Sequence, residues 1–351
     1  MQCSVMLGKA EPSWFDGLLA DEVVDITRVY GGGNAQVYRL RDINNRLWCA
    51  KVYAPSETGR QDRMTTEWGA LNFLYDNGLN AVPRPVALNP DRRIAVYAWV
   101  EGQRFCHYQH SLQDVSDAIT FLVQLNDLRT VPDALRQPFA SEACLSLDAL
   151  VKNLEERTKR LLSVPEISAE AADMRRFVSN DLKQFTHNAV QKAELGYDGL
   201  NRSKSIDLTT KEWILSPSDF GFHNALKTQT GTIWLDFEYF GWDDPAKTMI
   251  DFILHPAMGL DGVCAHRFWR VMLDCFDVAG DLARRAQMLY PLYGVKWCLI
   301  LLNEYLREGA ARRYTATDTV IDKEIRYEQL SKAIKLLNTL KQHNEIFPYA
   351  S

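Results

Sequence analysis

The hydrophobic pattern of this 351-residue chain changes its period near residue 102, and this change limits the folds open to it. Before that point, short β-branched and aromatic runs such as Val23–Val29 and Leu47–Tyr53 are separated by turn residues, which predicts short strands. An exception begins at Thr66, where apolar residues recur every three or four positions and predict an amphipathic helix that ends near Gly78. Beyond residue 102 most apolar stripes have the helical period. The pattern predicts an α+β chain.

We place a domain boundary at this change of period. Residues 1–102 are predicted to form a strand-rich N-terminal lobe that ends in a hinge, and residues 103–351 a larger, mainly helical lobe. Pro83 and Pro85 are expected to interrupt the chain before a strand over residues 93–100. Ser111 and Asp114 have the spacing of a capping box at the start of the first long helix.

Charge, cysteine content and hydropathy exclude several classes of protein. There are 40 lysines and arginines against 45 acidic residues, so a net charge of −5 argues against dedicated binding of nucleic acid or an anionic membrane. The seven cysteines are scattered without a CxxC pair, which is typical of free thiols in a reducing compartment. No apolar segment has the length of a signal peptide core or a bilayer span. We therefore expect a soluble, cytoplasmic protein.

Three features of the strand-rich part are compatible with a nucleotide site. The bend between the first two predicted strands contains four residues suited to close approach of a phosphate: Gly31, Gly32, Gly33 and Asn34. Lys51 stands in an apolar strand, where its ammonium is costly unless an anion pairs with it, and Glu67 in the following helix offers that partner. Each feature also has an ordinary structural explanation. The glycines could form a hairpin turn, Lys51 could extend its ammonium to solvent, and Glu67 could stabilise the helix dipole near the start of its helix.

A fourth feature indicates phosphoryl transfer. Asp219 is followed five positions later by Asn224, and a short apolar strand then ends at Asp236. In such a reaction one carboxylate accepts the proton of the attacking hydroxyl, while an amide and a second carboxylate hold Mg²⁺ on the nucleotide phosphates. We predict Asp219 as the catalytic base and Asn224 and Asp236 as the Mg²⁺ ligands.

In this order the motifs resemble the aminoglycoside phosphotransferase/choline kinase family, the small-molecule relatives of protein kinases. The resemblance extends over nearly the whole chain and implies a two-lobed, protein-kinase-like fold with ATP or GTP as co-substrate. It also implies that the glycine-rich loop covers the phosphates, that Lys51 contacts them, and that the hinge residues Trp99 and Val100 bind the nucleotide. The family's His-Gly pair before the catalytic aspartate is replaced here by Pro217-Ser218, a departure in the loop that positions Asp219.

The acceptor of the phosphate is expected to be a small molecule. Only seven residues separate Asp236 from Asp244-Pro245, which leaves no room for the peptide platform of a protein kinase. Five acidic residues are expected to line the mouth of the acceptor site: Asp236, Glu238, Asp243, Asp244 and Asp251. Such an acidic mouth suits a cationic amino-alcohol or an aminoglycoside, while a sugar or a nucleoside is an alternative acceptor. Four residues are expected to contact the acceptor: Glu238, Asp243, Trp297 and Glu304.

Three alternative interpretations have weaker support. A catalytically inactive, nucleotide-binding regulatory module is favoured only by the missing His-Gly pair, and the retained Asp219 argues against it. A zinc site at Cys106-His107-x-x-His110 lacks a second ligand pair. Serine hydrolysis lacks the G-x-S-x-G elbow. Aromatic residues at helical spacing, such as Trp297, are also typical of an ordinary core.

Overall fold

The computed structural model describes residues 12–29, 35–55, 61–106, 109–306 and 322–349. Its strands are β1 (Val23–Val29), β2 (Ala35–Asp42), β3 (Leu47–Tyr53), β4 (Pro85–Asn89), β5 (Ile94–Ala98), β6 (Gln103–Arg104), β7 (Ile214–Ser216), β8 (Ala225–Thr228), β9 (Gly231–Trp234) and β10 (Gly241–Asp243). Its helices are α1 (Arg63–Asp76), α2 (Leu112–Asp127), α3 (Leu147–Leu162), α4 (Ala169–Arg176), α5 (Lys183–Gly199), α6 (Pro245–Leu254), α7 (Gly262–Phe276), α8 (Leu282–Leu301) and α9 (Lys323–Glu345). A π-helical turn, Phe177–Leu182, joins α4 to α5.

The N-terminal strands form one antiparallel sheet in the order β1-β2-β3-β5-β4. The predicted runs of β1 and β3 match the observed strands, because β-branched and aromatic residues favour the extended backbone of a sheet. Strand β4 was not predicted, because proline lacks the backbone N–H that pairs in a β-sheet and Pro83 and Pro85 were expected to break the chain. Pro85 is its first residue and β4 lies at the sheet edge, where a missing N–H is tolerated.

Helix α1 has defined signals at both ends. Asp62 accepts a hydrogen bond from the Thr65 backbone N–H at 2.9 Å, so the helix begins three residues before the predicted start. At the other end, Asn77 is the cap and Gly78 follows with a φ of 82°, a conformation that favours glycine. Helix α1 packs on β4 and β5 and thereby carries Glu67 beneath the sheet.

The C-terminal part is mainly helical, as predicted. The capping box at the start of α2 is confirmed, because Ser111 accepts from the Asp114 backbone N–H and the Asp114 carboxylate accepts from the Ser111 backbone N–H. Helix α8 lies in the core against α3, α5, α6 and α9, and Leu292 and Leu299 on it are fully buried. None of the helices in the described part of the chain combines the length and the hydropathy needed to span a bilayer.

Two small sheets frame the segment that carries the catalytic motif. Strands β7 and β10 pair antiparallel, and β6, β8 and β9 form the other sheet. The backbone N–H of Trp234 on β9 donates to the carbonyl of Ala81 at 2.8 Å, which links this segment to the loop after α1. The Leu235 backbone N–H also donates to the Asn224 carbonyl at 2.8 Å, so the end of the Asp219 loop lies beside this link.

Candidate active site

Lys51 lies at the centre of the N-terminal sheet. On β3 it is paired with Val37 of β2 and Ala95 of β5, so its strand has a hydrogen-bonded neighbour on both sides. Its ammonium Nζ lies 2.6 Å from Glu67 Oε1 and 3.4 Å from Asp236 Oδ1. Three residues that are far apart in the chain thus meet around one cation, as the sequence pattern anticipated for the first two.

Glu67 is held from several directions. Besides Lys51, the Tyr53 hydroxyl donates to Oε2 at 2.5 Å and the Phe237 backbone N–H donates to Oε1 at 3.4 Å. Burial raises the pKa of Glu67, and the nearby ammonium acts against that rise. Burial also disfavours the charged form of Lys51, but the charges of Asp236 and Glu67 outweigh it and keep the pKa well above the usual value. A charged lysine is therefore maintained here.

The Asp219 carboxylate is surrounded by hydrogen-bond donors. Its Oδ1 lies 3.2 Å from His223 Nε2 and 3.4 Å from His255 Nε2, and the Asn224 amide nitrogen lies 3.3 Å from Oδ2. Burial works against ionisation, but hydrogen bonds from the two imidazoles outweigh it and hold the pKa of Asp219 well below its usual range. About a third of the side chain remains exposed, at 34%. The carboxylate is therefore ionised and partly accessible, so it can accept a hydrogen bond from an incoming hydroxyl.

Asp219, His223 and His255 have the composition of a metal site, but one hydrogen bond assigns His255 a different role. The backbone N–H of Ala257 donates to His255 Nδ1 at 3.1 Å, so Nδ1 presents its lone pair. Burial and the neighbouring His223 lower the pKa of His255, which favours the neutral ring. A neutral ring with a bare Nδ1 carries its proton on Nε2, and the Nε2–H group then donates to Asp219.

Asn224 and Asp236 have the donor chemistry of a Mg²⁺ site. The Asn224 amide nitrogen donates to the Asp219 carbonyl at 3.0 Å, so the amide oxygen is the group that this side chain offers to a cation. Asp236 follows β9 with a φ of 65°, and its carboxylate is 32% exposed beside Lys51. Amide and carboxylate oxygens are hard ligands that suit Mg²⁺. The Leu235 backbone N–H donates to the Asn224 carbonyl at 2.8 Å and ties the two segments together.

Ser218, the residue before Asp219, adopts a backbone conformation that is rare for residues other than glycine. Ser218 has a φ of 69°, a left-handed value that favours glycine. Its backbone N–H donates to Ser216 Oγ at 3.0 Å, and its hydroxyl accepts from the Lys247 ammonium at 3.0 Å. Lys247 is 1% exposed, and Asp243 and Asp251 neutralise it at 2.8 and 3.1 Å. The serine that replaces the expected glycine is thus held by a buried ion network.

No protein-family model and no curated protein sequence matches the chain. Solved structures match it over almost its whole length. The choline kinase of Cryptosporidium parvum Iowa II covers 92% of this chain and 91% of its own, with a TM-score of 0.58 and 11% identity. Spectinomycin phosphotransferase in complex with ADP and spectinomycin covers 94% and 97%, with a TM-score of 0.59 and 11% identity. The chain has the fold of choline kinases and aminoglycoside phosphotransferases.

A further match agrees with this result. The amicoumacin kinase hAmiN, solved in complex with AMP-PNP, Ca²⁺ and Ami, covers 93% of this chain and 95% of its own, with a TM-score of 0.55 and 13% identity. The α+β, protein-kinase-like fold that the sequence resemblance implied is therefore confirmed. The domain boundary at residue 102 and the roles of individual site residues stay predictions.

The predicted nucleotide-binding residues are only partly visible in this fold. Gly31, Gly32, Gly33 and Asn34 lie outside the described residues. Trp99 and Val100 follow β5, at the link between the sheet and the helical part. The Trp99 indole N–H donates to Glu101 at 3.0 Å, and its backbone N–H donates to the Leu47 carbonyl at 3.4 Å.

The predicted acceptor residues occupy different environments. Glu238 is 2% exposed near Arg63, and burial together with the Asp236 charge raises its pKa to about 8. Asp243 is fully buried in its ion pair with Lys247. Glu304 lies in the 3₁₀ turn Leu302–Tyr305 after α8.

Trp297 comes near the catalytic loop through two neighbours. Its indole N–H donates to Asp251 Oδ1 at 2.8 Å, and its ring meets the His255 ring edge-to-face at 4.4 Å. His255 in turn contacts Asp219. Trp297 is therefore linked to Asp219 through His255.

Sequence reasoning missed Lys247 and His255. Both belong to a series with Asp251 in which members are four residues apart, the spacing that aligns side chains on one face of a helix. Polar residues at this spacing in an otherwise apolar helix indicate a polar stripe on one face. Which loop that stripe contacts depends on how α6 packs, and the sequence alone does not predict this packing.

Proposed function

We propose that this protein transfers the γ-phosphate of ATP or GTP to a hydroxyl of a small molecule. The observation that carries the proposal is the meeting of Lys51 with Glu67 and Asp236 at 2.6 and 3.4 Å. A buried lysine between two carboxylates is suited to bind nucleotide phosphates next to a divalent cation. The fold shared with the spectinomycin and amicoumacin kinases, solved with ADP and AMP-PNP, supports a nucleotide co-substrate.

In the proposed mechanism Lys51 binds the α- and β-phosphates and Glu67 orients its ammonium. Asn224 and Asp236 would hold Mg²⁺, which supplies neutralisation of the negative charge on the phosphates. Asp219 orients the acceptor hydroxyl and receives its proton. His223 and His255 hold the carboxylate ionised, so at neutral pH it can orient the hydroxyl and take up its proton as phosphoryl transfer proceeds. Catalysis is then mainly positioning and electrostatic stabilisation.

The acceptor is proposed to bind in the helical part, beside Asp219 and Trp297. The link from Asp236 to the start of α6 is short and includes β10, which pairs with β7 instead of forming a platform for a peptide. An open approach to Asp219 suits a small hydroxylated molecule. An amino-alcohol, an aminoglycoside, a sugar and a nucleoside are the classes to compare.

A phosphorylation screen tests this function. The 351-residue protein is incubated with Mg²⁺, either ATP or GTP, and one acceptor from each of these four classes, and acceptor-dependent release of ADP or GDP is measured. Asp219→Asn is the matched control, because it preserves shape while removing the base. Acceptor-dependent turnover that is lost in this variant supports the proposal. If Mg-nucleotide neither raises the melting temperature nor is consumed, the kinase assignment is wrong. Binding of nucleotide without turnover of any acceptor would favour the inactive regulatory module.

A further inference from the structure

Three polar side chains of the α6 segment face the catalytic loop. Lys247, Asp251 and His255 are four residues apart, so they form one stripe along α6 and its C-cap. Lys247 reaches Ser218, His255 reaches Asp219, and Asp251 stands between them with its carboxylate on Lys247. The stripe therefore contacts two successive residues of the loop, one of which is the proposed base.

The Lys247 contact holds the backbone of the loop. The backbone of Ser218 has a left-handed conformation that is unfavourable for most residues other than glycine, so contacts from surrounding residues have to maintain that conformation. The hydrogen bond from Lys247 to its hydroxyl, at 3.0 Å, is one such contact. The second comes from Ser216, whose hydroxyl accepts the Ser218 N–H and receives a hydrogen bond from Thr248 of α6 at 3.0 Å. Helix α6 thus determines the direction in which the chain enters Asp219.

The His255 contact holds the side chain of the base. Ala257 fixes the ring so that Nε2–H faces Asp219 Oδ1, as the backbone bond to Nδ1 shows. Trp297 meets the ring edge-to-face, and His223 stacks on it with ring centroids 3.8 Å apart and planes 6° apart. A ring held by two aromatic neighbours and a backbone bond can impose one orientation on the carboxylate. Both imidazoles then engage Oδ1, whereas Oδ2 has only the Asn224 amide at 3.3 Å and keeps lone-pair capacity for the acceptor hydroxyl.

We propose that Lys247 and His255 are positioning residues for Asp219, and that this face of α6 takes over the role expected of the missing His-Gly pair. Lys247 sets the backbone through Ser218, and His255 sets the carboxylate. The inference rests on the proposed function, because positioning matters only if Asp219 accepts a proton. It assigns no contact with substrate to either residue.

Variants of Ser218 test the backbone contact. Lys247→Met is unsuitable alone, since it leaves Asp243 and Asp251 buried without their cation. Ser218→Gly instead removes the hydroxyl and relieves the left-handed strain, so a purely structural role predicts equal or higher stability with normal turnover. We expect hydrolysis of Mg-ATP, with water as acceptor, to show kcat lowered about 10- to 100-fold and KM for ATP unchanged. Ser218→Asn, which tolerates the conformation and restores an acceptor for Lys247, should recover part of kcat.

Variants of His255 test the side-chain contact. His255→Phe keeps the aromatic packing on Trp297 but has no donor, whereas His255→Gln restores an N–H donor. We expect kcat to fall about 10- to 100-fold in the first and to recover partly in the second, with KM for ATP unchanged in both. His187→Phe, at an exposed position on α5, is the matched control. Normal kcat in both Ser218→Gly and His255→Phe would overturn the proposal.

A measurement that needs no turnover separates this inference from the proposed function. NMR of the ¹⁵N-histidine-labelled protein reports which ring nitrogen of His255 carries the proton. We expect the Nε2–H form, with a signal that shifts when Asp219 is changed to Asn. A proton on Nδ1, or a signal that ignores the Asp219 change, overturns the role of His255 even if the protein is a kinase. If the NMR result is as expected and no nucleotide is consumed, the proposed function fails and the positioning role falls with it.

Discussion

The ammonium of Lys51 on β3 lies 2.6 Å from the carboxylate of Glu67 on α1, and this bond joins the N-terminal sheet to the helix beneath it. Both side chains are largely buried, at 16% and 2% exposure. The pair also reaches the helical part, since Lys51 lies 3.4 Å from Asp236. A nucleotide phosphate that binds Lys51 would therefore contact a cation already held by both parts of the chain.

Lys51→Met should weaken nucleotide binding. At a concentration one hundred times its Kd, a nucleotide stabilises a folded protein by about 2.7 kcal/mol, and removal of the ammonium should abolish most of that gain. Differential scanning fluorimetry with and without Mg-ATP measures the effect. Lys152→Met, at an exposed position on α3, is the control and should retain the full shift. Equal shifts in both variants would remove Lys51 from the nucleotide site.

Asp219→Asn should lower turnover while nucleotide binding is kept. The amide has the shape of the carboxylate but accepts a proton poorly, and loss of a general base costs about 10²- to 10⁴-fold in rate. Steady-state kinetics with the acceptor found in the screen gives kcat, and fluorimetry gives the nucleotide-induced shift. A variant that turns over at the wild-type rate would show that another group takes the proton.

Arg285→Met should destabilise the fold. Arg285 on α8 donates to both carboxylate oxygens of Asp244 at 2.8 and 3.0 Å, and both side chains are only 3% exposed. Removal of one partner of a buried pair leaves the other charge uncompensated, at a cost of about 3–5 kcal/mol. Urea denaturation measures the change.

Two further variants make that stability test specific. Arg284→Met alters the neighbouring, exposed arginine and should change the free energy of unfolding by less than about 0.5 kcal/mol. Adding Asp244→Asn to Arg285→Met removes the isolated charge but keeps a capping residue for α6, so part of the lost stability should return. A double variant less stable than Arg285→Met would contradict this explanation.

Glu142→Gln should change how stability depends on acid pH. Burial opposes ionisation, but Lys296 and Arg157 outweigh it and lower the pKa of Glu142 to about 2 from 4.5. The folded state therefore binds this proton less readily than the unfolded chain, so the stabilisation is present above about pH 4.5. It is lost as pH falls toward 2. Between about pH 4.5 and pH 2, the free energy of unfolding of wild type should fall relative to that of the variant by at most about 1.4 kcal/mol per pH unit. The actual decrease should be smaller, because Glu142 is 37% exposed and solvent screens its ion pairs.

The measurement compares urea unfolding of wild type and Glu142→Gln at pH 5, 4 and 3. Other carboxyl groups titrate equally in both proteins, so the difference isolates Glu142. Glu155→Gln, an exposed glutamate of α3, should give a curve parallel to wild type. A constant difference between wild type and Glu142→Gln across this range would show that Lys296 and Arg157 do not lower the pKa of Glu142.

The sequence predicted those features that depend on neighbouring residues. The strands β1 and β3, the capping box of α2 and the position of Asn224 relative to Asp219 all follow from short spacings. The buried Lys51 and its partner Glu67 were also found, because an ammonium in an apolar strand requires an anion. The resemblance to a kinase family came from the order of these local motifs.

Only the tertiary structure decided what surrounds Asp219. His255 is separated from it by 36 positions of sequence and approaches because α6 packs across the catalytic loop. Lys247 meets Ser218 for the same reason, and the four-residue spacing on α6 marks these side chains without identifying their partners. Asp243 shows most clearly what the sequence could not predict. Its position in an acidic stretch suggested an exposed residue at the acceptor site, but in the fold it is fully buried against Lys247. Local chemistry thus specified which groups are present, whereas helix packing, which depends on the shape of the whole core, determined which of them meet.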